Sequence, residues 1–552
     1  MCMGSKTFIV TKLNMTKRSV KKYDMKILLI AFYTKSMYTK HEEIGISSVA
    51  SYVREKGYHV KLMSCIDFPD YELIKEYSPD IIGFNVYKIT VEHIKKSCDK
   101  ISVLLPHAVI CLGGIEATAS AVDLLKKIPT AKIAVRGEGE ESFLYVIKAL
   151  ERKNSLYNIR GITFRENDKI IENNEREAIK DIDILPDPSR DLLVQNKLKL
   201  AHIITSRGCE GHCTFCSSRL MSKTCRERSI DKILNEINHI YDHYKIDTFF
   251  FRNSSFEAGD NGIERITKIA EGIIQRKLKI TYFTFFRAEF SKIATPEVMA
   301  LLKKSGLFAG YIGIDAANEE DLKLYGKMAN NEDNHNIIKL FKKYNIGAPI
   351  GFIFYNPYST LNTLKKNVAF LKRYNYIFVF TNYQLIDGTP LALKVERDGL
   401  INQNSFEGYN FKDENVGHTI HYIKKFTAEH SFYANALDAL FSLARDVEFL
   451  IPHLYQLCAN NNRVIKILDQ YMENNWIKIT VVNEIIAAWI EGVLDLSSRF
   501  NKNKLDSYSD DYWENKKLDT LINELLMNRN KLHIDLFRNN LIIHNLYEKI
   551  LI

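Results

Sequence analysis

No apolar run in this 552-residue chain is long enough to cross a bilayer as a helix. Lysines near the start are followed by no apolar h-region, so no secretory signal is expected. Cysteine is sparse. Cys2, Cys65, Cys98, Cys111, Cys225 and Cys458 are scattered without framework spacing, which argues against a disulfide scaffold and for a reducing compartment. Together these absences predict a cytoplasmic protein with no membrane partner. The net charge of +9 is mild for the length, and no basic stripe follows the first two dozen residues, so nucleic acid is not an expected partner. That first stretch (Lys6, Lys12, Lys17, Arg18, Lys21, Lys22) reads as a solvated tail. Repeats and low-complexity tracts are missing too. A composition with 46% hydrophobic and 26% charged residues permits a large core, and the length implies roughly three to four domains.

The remaining cysteines are concentrated. Thr205-Ser206-Arg207-Gly208-Cys209-Glu210-Gly211-His212-Cys213-Thr214-Phe215-Cys216 carries three of them in a C-x-x-x-C-x-x-C spacing, directly after the strand-like Ile203-Ile204. Thiolates are the usual ligands of iron-sulfur clusters, and three can hold three irons of a 4Fe-4S cube, leaving the fourth open to a small chelating molecule. Zinc competes for clustered cysteines, with His212 or Cys225 as a fourth ligand, although a structural zinc usually takes a C-x-x-C pair on each side.

Along the chain, a basic tail (1–24) precedes a run of strands alternating with helices. Lys26–Phe32, His59–Met63, Ile81–Tyr87, Ala108–Leu112 and Ile133–Val135 read as strands of a doubly wound parallel sheet spanning 25–152. The fourth ends in Gly113-Gly114, a pair that on its own reads more often as a plain turn than as a binding site. A charged connector, 153–198, contains Leu185-Pro186-Asp187-Pro188-Ser189-Arg190-Asp191 and reads as a stiff extended linker. From 199 to 404 six strand–helix units predict a partial (β/α)6 barrel, its strands at Ala201–Thr205, Thr248–Phe251, Ile280–Phe285, Tyr311–Ile314, Ile350–Phe354 and Ile377–Phe380. Ser229 is an expected helix N-cap, and Thr295-Pro296-Glu297 starts a helix that Gly306 ends. From 405 to 552 the period is helical, with helices expected at Ala436–Ala444, Ile465–Tyr471, Val481–Leu496 and Leu518–Leu526. Phe432, Tyr433, Trp476 and Trp489 read there as core aromatics.

The cysteine loop, including the aromatic residue Phe215 before its last cysteine, resembles that of radical SAM enzymes. "CLGGIEAT", "VRGEGE" and "GISSVASYVREKGYHV" resemble the cobalamin-binding domain that precedes the cluster domain in many of them, and "LPDPSRDL" matches a connector common in that group. The resemblance implies an α/β protein: a doubly wound parallel-sheet cobalamin-binding domain, a partial (β/α)6 radical SAM barrel and a mostly α-helical C-terminal domain. It implies a 4Fe-4S cluster on Cys209, Cys213 and Cys216, and S-adenosyl-L-methionine (SAM) on that cluster. Phe215, Asn253, Ser254, Arg287, Glu289 and Asp315 are the implied SAM contacts, with Arg252 beside them. Asp315 stands where many relatives have glutamate. Asp387-Gly388-Thr389-Pro390-Leu391 matches a turn near the end of the barrel. Cobalamin contacts fall on Gly113, Gly114, Arg136, Gly137 and Glu138. The Asp-x-His-x-x-Gly loop that ligates cobalt in cobalamin mutases is absent. His41, the nearest substitute, has the wrong spacing and reads as a surface histidine.

The implied activity is methyl transfer to an unactivated carbon of an unknown peptide or small molecule, fed by an electron donor such as flavodoxin or ferredoxin. A C–H bond without useful acidity calls for hydrogen-atom abstraction, so no general acid or base is assigned. A rearrangement, cyclisation or oxidation using the same cofactors is the second reading. A non-catalytic cobalamin or iron-sulfur binding protein is the third. In this family the C-terminal domain often covers the barrel mouth, which is the expectation here.

Overall fold

The computed structural model describes residues 25–34, 41–222, 224–376, 381–429, 443, 446–458, 461–499 and 516–538. The basic tail, the expected strand 377–380, most of the expected helix 436–444, and Phe432 and Tyr433 lie outside the described residues.

Strands β1 (Lys26–Tyr33), β2 (His59–Ile66), β3 (Ile81–Asn85), β4 (Val109–Gly113) and β5 (Ile133–Val135) run parallel in the order β2-β1-β3-β4-β5. Every residue of β3 and all but the first of β1 are buried, as expected when helices cover both faces of a parallel sheet. One face packs Leu29 and Tyr33 against Val53 and Ile147; the other packs Ile30 and Phe84 against Ile94 and Leu124.

The connector departs from expectation. Its residues Ile162–Glu166 (β6) and Lys169–Glu172 (β7) extend the sheet antiparallel beyond β5. The apolar run Ile162-Thr163-Phe164 is fully buried, and that burial outweighs the polar character of its surroundings. The proline stretch is no free linker either, since Ser189 and Arg190 are buried between the two sheets.

β8 (Leu200–Ile204), β11 (Thr248–Arg252), β12 (Thr281–Arg287), β13 (Leu307–Asp315) and β14 (Ile350–Phe352) form an all-parallel second sheet in that order. Between the first two of them, β9 (Ser206–Arg207) and β10 (Arg226–Glu227) pair antiparallel. A parallel bridge between Tyr355 and Asn382 flanks the place of the expected sixth strand. Outward residues Ile203, Phe249, Phe251 and Tyr282 pack on helices, while Leu200, Phe250, Phe283 and Phe308 fill the inner face. Thr295 caps its helix through the Val298 N–H at 3.3 Å, and Gly306, at φ +115°, ends it. Ser229 sits at a helix start but its side chain makes no cap; its backbone N–H instead donates to the Asp183 carboxylate of the connector at 3.0 Å.

The long helix Asn462–Arg499 buries Trp489 and runs along the helix Leu361–Tyr374, with Asn483 Nδ2 donating to the Lys372 carbonyl at 2.9 Å. Trp476 is partly exposed, with Lys342 stacked over its ring. The turn Asp446–Leu450 and the helix Ile451–Leu457 close the bottom of the barrel, at the strand N-terminal ends. There Glu448 Oε2 accepts from the Ala348 N–H (2.6 Å), His453 Nε2 meets Thr281 Oγ1 (2.8 Å), and Phe449 packs edge-on against Phe283. This part of the C-terminal region therefore sits opposite the mouth it was expected to cover.

Candidate active site at the strand ends

The cysteine loop leaves the barrel through the β9–β10 pair. Its neck closes at Gly208, where φ is +82° and a Cβ would stand 2.0 Å from the Thr224 carbonyl oxygen, so only glycine fits. Farther along, the Thr214 N–H donates to the Tyr325 carbonyl (2.9 Å), Thr214 Oγ1 donates to the Leu324 carbonyl (2.8 Å), and the Leu391 N–H donates to the Thr214 carbonyl (2.9 Å). Phe215 packs edge-on against the Tyr325 ring at 5.3 Å. The loop is thus pinned at both flanks, and Leu391 of the Asp387–Leu391 turn serves as one of the pins.

Two of the sulfurs lie beside Gly211. Its N–H points at Cys209 Sγ (3.3 Å), and a Cβ there would lie 3.2 Å from Cys209 Sγ and 3.9 Å from Cys213 Sγ. All three thiols are part-buried. Burial pushes Cys213 up to about 11 and raises Cys209; the cation of Lys327 opposes the first shift, and the Gly211 N–H and Arg287 oppose the second. Three thiols on one glycine-bearing loop, with two cations facing them, fit an anionic iron-sulfur cluster. Among the described residues no three Cys, His, Asp or Glu side chains are gathered tightly enough for one metal. His212 Nδ1 is engaged by Arg219 at 2.9 Å, and burial raises the Cys225 thiol.

The ends of the neighbouring strands carry the other expected residues. Asn253, after β11, donates from Nδ2 to Thr205 Oγ1 (3.0 Å) and Thr284 Oγ1 (2.9 Å), bridging three strands, while its Oδ1 is buried without a partner. Ser254 follows, part-buried. Arg287 ends β12 and pairs with Glu289 at 2.7 Å, and Glu289 Oε2 is buried and unpartnered. Asp315 ends β13 in a left-handed conformation (φ +63°) and pairs with Lys327 at 2.6 Å. Two partners escaped the sequence reading. Lys327, nearly fully buried, bonds both Asp315 and the Gly313 carbonyl (2.9 Å) beside Cys213. Glu257, fully buried with its carboxyl raised by burial, accepts the Arg287 N–H at 3.0 Å. Neither lies in a pattern that a single sequence distinguishes from ordinary surface charge.

On the first sheet, Gly113 and Gly114 end β4. At Gly114 φ is +94° and a Cβ would press within 3.3 Å of the Val86 backbone. Thr118 ties this loop to the next, donating to the Gly114 carbonyl (2.9 Å) and accepting the Gly137 N–H (3.0 Å). Arg136 and Glu138 have other partners. Arg136 reaches Glu172 (2.6 Å) and the Asn173 carbonyl, tying β5 to the added strand β7. Glu138 takes two 2.9 Å hydrogen bonds from Arg226 and is paired with Arg207, both on the β9–β10 pair.

That pairing belongs to a seam of charge between the two sheets. Glu140 holds Arg207 at 2.6 Å, and buried Arg190 joins Glu42 (2.7 Å) to Glu236, which also holds Arg228. Ser120 Oγ donates to Asp387 (2.5 Å) and Lys88 to the Leu385 carbonyl (3.0 Å), so the glycine-bearing face of the first sheet meets the barrel at its mouth. His41 is part of this interface rather than the free surface. Its Nε2 lies 3.0 Å from Glu43, and its ring stacks on that of buried His202 in β8. A shallow depression of about 630 Å3, bordered by His239, His243 and Arg276, lies at the C-terminal ends of two outer helices, on the far side of the barrel from these groups.

Comparison with known proteins agrees with this division. The B12 binding domain family matches residues 30–147, and the Radical SAM superfamily matches residues 203–371. An uncharacterised methyltransferase of Pyrococcus horikoshii is 28% identical over 63% of this chain and 78% of its own length. The 4′-phospho-dehydrooxetanocin synthase of Priestia megaterium is 26% identical over 59% of this chain, which spans about half (46%) of that relative. Among solved structures, the cobalamin-dependent S-adenosylmethionine radical enzyme OxsB, with aqua-cobalamin and S-adenosylmethionine bound, superposes with a TM-score of 0.68 at 19% identity, covering 93% of this chain and 83% of that one.

Proposed function

Because this chain belongs to the cobalamin-dependent radical SAM enzymes, we propose that it methylates an unactivated carbon of its substrate. The observation that carries the reading is the placement of the cysteine loop: the glycine-bearing face of the N-terminal α/β unit is fixed over the barrel end from which the three thiols project. When bound, the cofactors supply an electron that cleaves one SAM to a 5′-deoxyadenosyl group able to take the substrate hydrogen, and a methyl group drawn from a second SAM.

In this reading Cys209, Cys213 and Cys216 hold the cluster, and Arg287 and Lys327 offset its negative charge. The unpartnered oxygens of Asn253 and Glu289 would be the acceptors offered to SAM, with Ser254 and Asp315 on the same rim and Phe215 backing the loop. Gly113, Gly114 and Gly137 leave the first sheet's edge bare of side chains for the cobalamin tail. Glu138 also acts as a strut that fixes the cobalamin side to the neck of the cluster loop, while Arg136 ties β5 to β7 within the first sheet. The barrel floor is closed by Phe449 and His453, which keeps water from entering beneath the reacting groups. No helix among the described residues is long and apolar enough to cross a membrane, and a cytoplasmic enzyme served by a flavodoxin- or ferredoxin-type donor is the setting proposed.

The relatives' names do not share one reaction, one being a methyltransferase and another a dehydrooxetanocin synthase, so ring or skeletal chemistry without methyl transfer is the second reading. Protein purified without oxygen and loaded with iron, sulfide and cobalamin, then reduced with SAM, separates the two. Methyl transfer yields S-adenosylhomocysteine together with 5′-deoxyadenosine. With substrate turned over, 5′-deoxyadenosine alone supports the second reading, and neither product rejects both.

A further inference from the structure

The arginines along the seam between the two sheets are ion-paired, Arg54 to Asp191, Arg190 to Glu42 and Glu236, Arg207 and Arg226 to Glu138 and Arg228 to Asp187, and at the barrel strand ends Arg287 is paired to Glu289. Arg252 is the exception. It ends β11 at the barrel mouth, and no carboxylate among the described residues lies within ion-pair distance of it. Its side chain is exposed at the mouth, and its guanidinium lies over the inward Phe250 ring, 4.9 Å from the centroid. Across the mouth the nearest charged or acidic groups are Tyr87 and Glu43 of the first sheet. These are committed to each other at 2.8 Å, and Glu43 also to His41 at 3.0 Å. Burial among these elements weakens its hold on the proton, yet the side chain is still accessible. An accessible, unpaired guanidinium thus stands at the barrel mouth, facing the first sheet.

The surroundings of Arg252 have further features of a binding site. Below Arg252 the inward faces form an aromatic floor: Phe250 stacks on Phe283 at 4.2 Å and meets Phe285 at 5.2 Å, and Phe285 meets Tyr311, which is 36% exposed. Beside Phe250 stands His202, 2% exposed, with neither ring nitrogen hydrogen-bonded. The buried His202 imidazole is costly unless a ligand completes it, and the accessible Arg252 guanidinium beside it is open to an anion.

We propose that Arg252 anchors an anionic group of the substrate, a phosphate or a carboxylate, while an apolar or planar part of the same molecule lies on Phe285 and Tyr311. Guanidinium favours both anions because its fork gives two parallel hydrogen bonds. The inference rests on the proposed function and names the substrate class for the same site. It also removes Arg252 from the SAM contacts with which its position after β11 grouped it.

The test uses the arginine reagent phenylglyoxal on the full chain loaded with iron, sulfide, cobalamin and SAM, with each labelled arginine identified by mass spectrometry. Arg252 should react faster than the ion-paired arginines of the seam. Inorganic phosphate or acetate, added to the loaded protein, should slow it roughly tenfold or more, the effect of one or two charge-assisted hydrogen bonds. The stronger protector identifies the anion class. Protection by SAM alone, or by cobalamin alone, would assign Arg252 to that cofactor and overturn the proposal. Indifference to both anions would also overturn it. 5′-Deoxyadenosine formation by an unlabelled portion of the same preparation is read in parallel. If that persists while anion protection is missing, only the anchor is lost; if it is missing too, the reading beneath it fails.

Discussion

Gly208 and Lys327 mark the limits of what single residues disclose. The cysteine spacing points to the cluster loop directly, because thiolates at that interval have few other uses. The requirement for Gly208 emerges only when the loop neck is seen to close on Thr224. Gly208→Ala should strain the backbone by about 1–3 kcal/mol and force the neck open, so that iron bound per chain after reconstitution falls sharply while the rest of the fold survives by circular dichroism. Lys327 reads in sequence as one more surface lysine. In the structure its partner is Asp315, and replacing Lys327 by methionine leaves that carboxylate uncompensated. A loss of about 3–5 kcal/mol is expected in denaturant unfolding, and Asp315→Asn in the same background should recover part of it. Full additivity of the two substitutions would show that the pair is not coupled.

At the scale of elements, alternating hydrophobic runs located the parallel strands well, because strands buried on both faces spell near-continuous apolar segments. The added pair β6–β7 was hidden for the opposite reason: its exposed outer strand is charged, and only Ile162 to Phe164 is core. The β9–β10 pair is two residues per strand, below the length at which periodicity carries information. Its attachment is nonetheless strong. Burial alone would raise the Glu138 carboxyl, but the Arg226 hydrogen bonds, the charges of Arg207 and Arg226 and the Ile179 N–H together hold it below its ordinary 4.5. A carboxyl lowered by folding contributes stability that is complete above 4.5 and lost as pH falls through the lower folded value. Unfolding midpoints measured from neutral pH downward should therefore drop below about 4.5, with a smaller drop in Glu138→Gln. An identical pH profile in the variant would remove Glu138 from this role.

Across the whole molecule, each half of the chain spells its own fold, but no local pattern states how the halves face each other. That information is spread over Glu42, Glu138, Arg190, Arg207 and Glu236, which lie far apart in sequence and meet only at the seam. Arg190→Met leaves buried Glu42 without its cation, while Glu236 keeps Arg228. The expected result is a loss of about 3–5 kcal/mol and faster proteolysis at the connector near Pro186 and Pro188. Unchanged cleavage there would mean that the seam does not hold the halves together. The central claim is that the seam presents a SAM-binding 4Fe-4S cluster to cobalamin. Electron paramagnetic resonance of the anaerobically reconstituted, reduced protein, with and without SAM, tests it most directly. The account predicts a reduced-cluster signal that changes shape when SAM is added and disappears in Cys213→Ala. A signal indifferent to SAM, or a protein that takes up zinc and no iron, would contradict it.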